Sequence, residues 1–165
     1  MSRIKGKAVV AQSGGPTAVI NASACGVIQT ALTHEDVFTG VYGALNGILG
    51  VLQEDLYDLS REDPAEIDRL KRSPSSALGS CRHKLKDLKS DRADYERILE
   101  VFKAHDIRYF FYIGGNDSMD TAAKLGQLAR EIDYDLIAMG VPKTIDNDLA
   151  CTDHCPGYGS VAKFS

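Results

Sequence analysis

The sequence predicts an α/β fold in which a mostly parallel β-sheet is flanked by helices. Short runs of β-branched and aromatic residues alternate with stretches of helical periodicity, and this alternation is typical of parallel strands joined by helical crossovers. The composition agrees with a globular domain, because 44% of the residues are hydrophobic and 25% are charged. These proportions exclude a disordered or fibrous chain.

The length and charge of the chain narrow its class further. Its 165 residues have the size of one domain and can bury a core without disulfides or a structural metal. No run reaches the roughly 18 apolar residues of a membrane span, and the N-terminus has no secretory-signal pattern. The net charge is −4 and the basic residues are scattered, unlike the concentrated patch of a nucleic-acid-binding protein. We therefore expect a cytoplasmic protein with no membrane or nucleic-acid partner.

The four cysteines are expected to be free thiols, because disulfides are rare inside cells. Cys151, His154 and Cys155 lie close together in the sequence and raise the question of a zinc site. Zinc needs a fourth ligand and usually a second ligand pair at a defined spacing, and neither is visible. We therefore interpret these three as ordinary loop residues.

The first part of the chain predicts a strand, a helix and a second strand. Residues 7–12 (KAVVAQ) have the pattern of a buried strand. A helix of small residues is expected over about 17–32, with Thr17 as a candidate N-cap. Residues 37–42 (VFTGVY) predict the second strand.

Residues 43–90 have weaker patterns. Within them, residues 44–52 (ALNGILGVL) are compatible with either a helix or a strand. Residues 64–73 (PAEIDRLKRS) predict a short helix, and residues 73–84 (SPSSALGSCRHK) predict a loop.

The second half of the chain has stronger patterns. A helix is predicted over residues 92–106, because large apolar residues recur there at helical spacing with charged residues on the opposite face. These apolar residues are Tyr95, Ile98, Leu99 and Phe102. Residues 107–115 predict a central strand, and residues 117–132 predict a helix with an acidic first turn. Residues 134–142 predict another buried strand, and residues 152–165 predict a loop that enters a helix.

Glycine-rich or polar loops follow three of these strands. In an open parallel sheet, ligands bind outside the carboxyl ends of the strands, so the three loops are expected to meet at one crevice. The first loop is residues 13–17 (SGGPT), whose glycines and helix-start amides could hold a phosphate. It has neither a dinucleotide-binding nor a Walker pattern, and a plain strand-to-helix turn explains it equally well by itself.

The second loop, residues 114–118 (GGNDS), combines glycines with oxygen-bearing side chains. The glycines permit close approach of the backbone to a ligand. Asn116, Asp117 and Ser118 offer ligands for a hard cation, or caps for the following helix. The capped helix without a ligand remains open as an interpretation of this loop.

The third loop, residues 142–148 (PKTIDND), brings two carboxylates next to a lysine. Asp146 and Asp148 point the same way in an extended chain, because side chains alternate with a period of two. Two carboxylates beside Lys143 suit a general base, Mg²⁺ binding, or both. Asp-Asn-Asp also favours turns, but its position directly after an apolar strand favours a site.

Three segments resemble the signature segments of the phosphofructokinase family. They are SGGPTAVINA, GGNDSMDTA and PKTIDND, in the same order and at similar spacing. The resemblance covers nearly the whole chain and is weakest over residues 43–90. It implies a Rossmann-like three-layer sandwich, and phosphoryl transfer to the 1-hydroxyl of fructose 6-phosphate in glycolysis.

Two residues resemble the pyrophosphate-dependent branch of that family. ATP-dependent members typically carry glycine where this sequence has Asp117 and Lys143. A carboxylate at Asp117 would crowd and repel the α-phosphate of ATP, a group that pyrophosphate lacks. Lys143 could hold pyrophosphate and neutralise the charge that develops during transfer.

The resemblance also implies roles for individual residues. Gly14 would contact the donor phosphate. Asp146 would be the base that takes the proton from the sugar hydroxyl. Thr144 and Asp148 would position the acceptor and the transferred phosphoryl group.

The basic loop and the metal site of the family have partial counterparts here. Arg82 and Lys84 resemble the basic loop beside the donor, although solvated surface charges explain this pair equally well. Asn116 stands where many members have a metal-binding aspartate, so Asp117 or water would substitute as a Mg²⁺ ligand. Ser118 completes the substrate-binding residues that we predict.

The sugar-phosphate segments of the family would follow residue 165. The chain is therefore expected to be the donor-binding domain, residues 1–165, of a longer homo-oligomeric enzyme, and to be inactive alone. Two alternatives stay open. A non-catalytic phosphate-binding or regulatory subunit is opposed by the intact pair Asp146 and Asp148. An ATP-dependent 6-phosphofructokinase is opposed by Asp117 and Lys143.

Overall fold

The computed structural model describes residues 4–17, 19–86, 88, 90, 92–144, 146 and 150–165, and it contains a five-stranded sheet. The strands are β1 (Gly6–Gln12), β2 (Phe38–Ala44), β3 (Leu56–Asp58), β4 (Ile107–Gly114) and β5 (Ile137–Pro142). Their order across the sheet is β3-β2-β1-β4-β5. Neighbouring strands are parallel except for β2 and β3. The mostly parallel sheet that the sequence predicts is thereby confirmed.

Helices cover both faces of this sheet. They are α1 (Ile20–Thr33), α2 (Ile48–Gln53), α3 (Pro64–Arg69), α4 (Ala93–Ala104), α5 (Asn116–Glu131) and α6 (Tyr158–Phe164). One buried cluster joins α1 and α3 to one face of β1 and β4. A second cluster joins α2, α4 and α5 to the opposite face. The architecture is therefore a three-layer α/β sandwich with β1 and β4 at its centre.

The middle of the central strand β1, residues 8–11, is apolar at every position, and the two core clusters show why. Ala8 and Val10 belong to the cluster on the α1 side, whereas Val9 and Ala11 belong to the cluster on the α4 and α5 side. All four have 0% exposure. Successive side chains of a strand point to opposite faces, so a strand that is covered on both faces needs a continuous apolar run.

The start of α1 corrects the sequence prediction. The helix begins at Ile20 rather than at about residue 17, and Val19 occupies its N-cap position without a side-chain cap. Thr17 is therefore not the N-cap. Its hydroxyl oxygen is buried without a hydrogen-bond partner, and its backbone carbonyl accepts from the Ile20 N–H at 3.4 Å. A capping side chain must directly precede the first helical turn, and Thr17 lies too far upstream.

The weakly patterned segment between β2 and α4 forms several short elements. Residues 44–52, which allowed two interpretations, divide between the end of β2 and the helix α2. Residues 64–72 form α3 and a following 3₁₀ turn, as predicted. The strand β3 was not predicted, because three residues are too few to carry a periodic pattern.

The strand β5 is less buried than the sequence predicts. Ile137 is 38% exposed and Met139 is 49% exposed, whereas Ala138 packs against the core. The α5 side of β5 is tightly covered, since a Cβ added at Gly140 would lie 2.4 Å from the sulfur of Met119. The opposite face lacks an equivalent cover among the described residues, so an apolar run does not guarantee burial on both faces.

The structure also reports on the state of the cysteines, on metal-ligand clusters and on membrane spans. Cys25, Cys81, Cys151 and Cys155 are free thiols, as predicted. Within the described ranges, no group of three or more His, Cys, Asp or Glu side chains could hold a metal ion. No helix in that part of the chain is long and apolar enough to cross a membrane.

Candidate active site

The three predicted loops meet at the carboxyl ends of adjacent strands. Because β1, β4 and β5 are neighbours in the sheet, the residues that follow them lie side by side. The Ser13 N–H donates to the Ile113 carbonyl at 2.9 Å, and the Lys143 N–H donates to the Gly114 carbonyl at 3.2 Å. The topology therefore brings segments that are far apart in the sequence to one place.

A cleft of about 440 Å³ opens where these loops meet. Six of the predicted site residues line it: Gly14, Arg82, Asn116, Asp117, Ser118 and Lys143. Its size suits a small-molecule ligand rather than a macromolecule.

Lys143 is a buried cation at one wall of the cleft. It is only 7% exposed, and its ammonium group donates to the Gly15 carbonyl. Burial lowers the pKa of Lys143, the nearby Arg82 guanidinium lowers it further, and Asp146 opposes both effects. A buried ammonium beside a second cation is a site where an anion would relieve both the desolvation and the repulsion.

Gly14 allows the first loop to approach that cation. Its φ is +75°, a conformation that favours glycine, and an added Cβ would lie 3.1 Å from the Lys143 ammonium nitrogen. The Gly14 N–H donates to the Cys81 carbonyl at 3.0 Å, which ties this turn to the loop that carries Arg82. An added Cβ on Gly15 would be 3.8 Å from an Arg82 nitrogen. Arg82 and Lys143 therefore flank the two glycines.

Asp117 and Lys84 form an ion pair beside the cleft. Their closest nitrogen and oxygen atoms are 2.9 Å apart, and their side chains are 70% and 72% exposed. Asp117 lies in the first turn of α5, where the helix dipole favours a negative charge. The basic loop of residues 82–84 and the start of α5 are thereby joined. Lys84 has a charged partner here, whereas the sequence left solvated charge open as its interpretation.

Ser118 packs beneath the second loop. It is 4% exposed, and a Cβ added at Gly114 would lie 2.1 Å from its hydroxyl oxygen. Gly114 is thus required for the close approach of β4 to α5. Ser118 is buried, so the surface that it presents to a ligand is small.

Thr144 and Asp146 are described after Lys143, and neither lines the cleft. The Asp146 N–H donates to the Thr144 hydroxyl at 3.1 Å, which holds a turn, and the Asp146 side chain is exposed. Asp148 falls outside the described residues, so the predicted alignment of the two carboxylates stays a prediction. Asp146 is nevertheless close enough to Lys143 to affect its pKa.

Comparison with known proteins decides the family. The phosphofructokinase family model matches residues 7–164. The chain belongs to the phosphofructokinase family. It is 57% identical over 157 residues to the pyrophosphate--fructose 6-phosphate 1-phosphotransferase of Halomonas elongata, covering 95% of this chain and 38% of that protein. It is 58% identical over 160 residues to the enzyme of the same name from Xanthomonas campestris, covering 97% and 38%.

A solved structure agrees with these relatives. The crystal structure of pyrophosphate-dependent phosphofructokinase from Marinobacter aquaeolei is 56% identical and superposes with a TM-score of 0.88. The match covers 98% of this chain and 39% of that one. The present chain thus spans less than two-fifths of the length of these phosphofructokinases.

Several residues of this phosphofructokinase cleft were missed from the sequence. Tyr112 lies on its inner surface, and burial raises the pKa of its phenol to about 12, although a hydrogen bond with Ser13 opposes that shift. His83 also lines the cleft, with Nε2 3.2 Å from a carboxylate oxygen of Asp94 on α4. The alternation along β4 could have indicated Tyr112. Nothing in the local sequence indicates the pairing of His83 with Asp94, because it depends on packing.

The side-chain oxygens of Asn116 and Asp117 in the cleft suit a Mg²⁺ ion that is also bound by phosphate oxygens of a ligand. Mg²⁺ in phosphoryl-transfer sites is usually held by one or two protein oxygens together with substrate phosphates. Asn116 and Asp117 supply such oxygens at the cleft wall.

Proposed function

We propose that the full-length protein transfers a phosphoryl group from pyrophosphate to the 1-hydroxyl of fructose 6-phosphate. The products are fructose 1,6-bisphosphate and phosphate, and the step is reversible and glycolytic. Residues 1–165 are proposed to be its donor-binding domain. One observation carries this proposal: Lys143 and Arg82 flank the Gly14–Gly15 turn in a cleft whose mouth carries Asp117. The activity for which the two relatives are named is the same.

The two cations would bind the donor. Lys143 and Arg82 would contact phosphate oxygens of pyrophosphate and offset the negative charge that spreads over the transferred group. Gly14 would let the backbone approach these oxygens without a side chain in the way. Because the Lys143 ammonium is already held by the Gly15 carbonyl, it would need little reorganisation on binding.

Asp146 would act as the general base. It would take the proton of the sugar hydroxyl while the hydroxyl oxygen bonds to phosphorus and the bridging P–O bond of pyrophosphate breaks. Phosphate is the leaving group. Thr144 would hold the Asp146 turn through the hydrogen bond to its N–H, and Asp148 would position the acceptor and the transferred group.

Asp117 would select the donor. A nucleoside triphosphate must place its α-phosphate and nucleoside beyond the two phosphates that pyrophosphate fills. The Asp117 carboxylate would repel that additional phosphate. Its ion pair with Lys84 would keep the carboxylate at the cleft mouth.

Mg²⁺ is proposed as the cofactor, held by the Asp117 and Asn116 oxygens together with the donor phosphates. When bound, it neutralises phosphate charge during transfer. The family resemblance also leads us to propose a homo-oligomer that works in the cytoplasm, with no nucleic-acid or membrane partner.

A donor assay tests the proposal. The natural full-length protein, supplied with fructose 6-phosphate and Mg²⁺, should form fructose 1,6-bisphosphate with pyrophosphate and not with ATP. Activity with ATP alone would refute the donor assignment, and inactivity with both donors would favour a non-catalytic phosphate-binding subunit. Omission of Mg²⁺ with a chelator present should abolish turnover.

A further inference from the structure

Two polar side chains are completely enclosed behind the donor cleft. Gln12 ends β1 and is 0% exposed, and Asn21 lies in the first turn of α1 and is 1% exposed. The Gln12 amide nitrogen donates to the Asn21 side-chain oxygen at 3.0 Å and to the Ile20 carbonyl at 3.1 Å. Burial of an amide side chain costs free energy unless its donors and acceptors are hydrogen-bonded. The partners of the other Gln12 and Asn21 groups therefore show what the pair holds in place.

The remaining hydrogen-bonding groups of Asn21 hold a loop. Its amide nitrogen donates to the carbonyls of Ser73 and Pro74 at 3.1 and 3.2 Å. Its oxygen also accepts from the Ala77 N–H at 2.8 Å. One buried side chain thus fixes three backbone positions of a segment that has no helix or strand of its own.

Gln12 holds the same loop one step further along. Its side-chain oxygen accepts from the Ser76 hydroxyl and from the Leu78 N–H, both at 2.9 Å. The bond to Leu78 is buried and the bond to Ser76 is partly buried, and a satisfied polar network of this kind is rigid and specific. The loop from Ser73 to Leu78 therefore has one position relative to β1 and α1.

The chain that follows this loop enters the cleft. Two residues after Leu78, the Ser80 hydroxyl donates to the Gly14 carbonyl at 2.5 Å, and the Cys81 carbonyl accepts from the Gly14 N–H at 3.0 Å. Arg82 comes next and lines the cleft. The register of residues 73–78 consequently determines where the Arg82 guanidinium lies.

We infer that Gln12 and Asn21 are positioning residues, which set the place of Arg82, and hence pyrophosphate affinity, through residues 73–78. This inference rests on the proposed function. Neither side chain lines the cleft, so the effect is transmitted by the loop and not by contact with the donor. The network belongs to the donor side, so the sugar-phosphate side should be affected little.

The test compares Asn21→Leu, which has a similar shape but no amide, with Val101→Ala, a core change on α4 at a residue with 0% exposure. In the natural full-length protein, Asn21→Leu should raise the KM for pyrophosphate about tenfold or more, since it removes several buried hydrogen bonds. The KM for fructose 6-phosphate should change little. Val101→Ala should lower Tm without raising the KM for pyrophosphate.

A milder series keeps the test decisive if Asn21→Leu does not fold. Ser76→Ala removes one bond to Gln12 and should raise the pyrophosphate KM by about 2–5-fold, and Ser76→Thr should restore it. An unchanged KM in both Asn21→Leu and Ser76→Ala, or a rise no larger than in Val101→Ala, would overturn the inference.

Amide hydrogen exchange separates this inference from the proposed function. Residues 73–84 should lose protection in Asn21→Leu and not in Val101→Ala, whatever the reaction catalysed. A native protein without pyrophosphate-dependent turnover would refute the proposed function and leave this measurement intact. Retained protection of residues 73–84 in Asn21→Leu would refute the positioning role itself.

Discussion

At the residue scale, the candidate site depends on backbone freedom as much as on charge. Gly14 adopts a positive φ beside the Lys143 ammonium, and Gly114 lets Ser118 pack against β4. These glycines are visible in the sequence, but their purpose is not. The sequence does not distinguish a glycine that adopts a left-handed conformation from a glycine that makes room for a neighbouring side chain.

Replacement of Gly14 tests the need for that conformation. Gly14→Ala should lower the free energy of unfolding by about 1–2 kcal/mol, because alanine is strained at positive φ, and it should weaken pyrophosphate binding. Gly26→Ala is the matched control: it lies in α1 with open space around its Cβ position, and alanine there should stabilise by about 0.5–1 kcal/mol. Urea unfolding and calorimetric titration measure both effects. Equal stability changes in the two variants would refute the strain argument.

Replacement of Asp146 tests the proposed base. Asp146→Asn keeps the size of the side chain but cannot accept the proton, so kcat should fall by roughly 10²–10⁴-fold with little change in Tm. Asp153→Asn, also at an exposed aspartate, is the control and should keep wild-type kcat. Steady-state kinetics on the full-length protein provide the measurement. A kcat loss below about tenfold would exclude Asp146 as the base.

At the element scale, two loops place the charges that would choose the donor. The start of α5 carries Asp117, and the end of β5 leads into Lys143. These positions become neighbours only because β4 and β5 pair in parallel register, with Gly114 opposite Pro142. The ion pair between Lys84 and Asp117 adds a third loop to the same arrangement.

A double variant tests donor selection by these loops. Asp117→Gly combined with Lys143→Gly should lower the ratio of pyrophosphate to ATP activity by about tenfold or more, because a repulsive carboxylate and a phosphate-binding cation are both removed. A control pair, Asp135→Gly with Lys5→Gly, makes the same changes at exposed positions outside helices and strands. Parallel kinetics with the two donors decide the outcome. A ratio equal to that of the control pair would contradict the roles of Asp117 and Lys143.

At the scale of the whole molecule, two apolar layers hold the sheet that carries the cleft. Leu125 of α5 is fully buried in the layer shared with α4 and the central strands. Ile132, just beyond the same helix, is 41% exposed. Both side chains are large and apolar, but because only Leu125 is buried we expect the two to contribute unequally to stability.

Replacement of each of these two residues by alanine tests whether α5 packs into the buried layer as described. Leu125→Ala should lower the free energy of unfolding by about 2–5 kcal/mol, because it leaves a cavity in a packed core. Ile132→Ala should change it by less than about 1 kcal/mol. Chemical denaturation with matched baselines provides the comparison. Similar losses in both variants would show that α5 does not pack as described.

The sequence by itself determined the α/β class, the main strands and helices, the family, and six of the twelve residues that line the cleft. Strong periodic patterns and glycine-rich strand ends are local signals, which survive without three-dimensional information. Only the tertiary structure decided the late start of α1, the short strand β3, the exposed face of β5, and the pairing of Lys84 with Asp117. It also revealed how Gln12 and Asn21 hold the loop that leads to Arg82. These features depend on which distant segments pack together, and sequence spacing carries little information about such contacts.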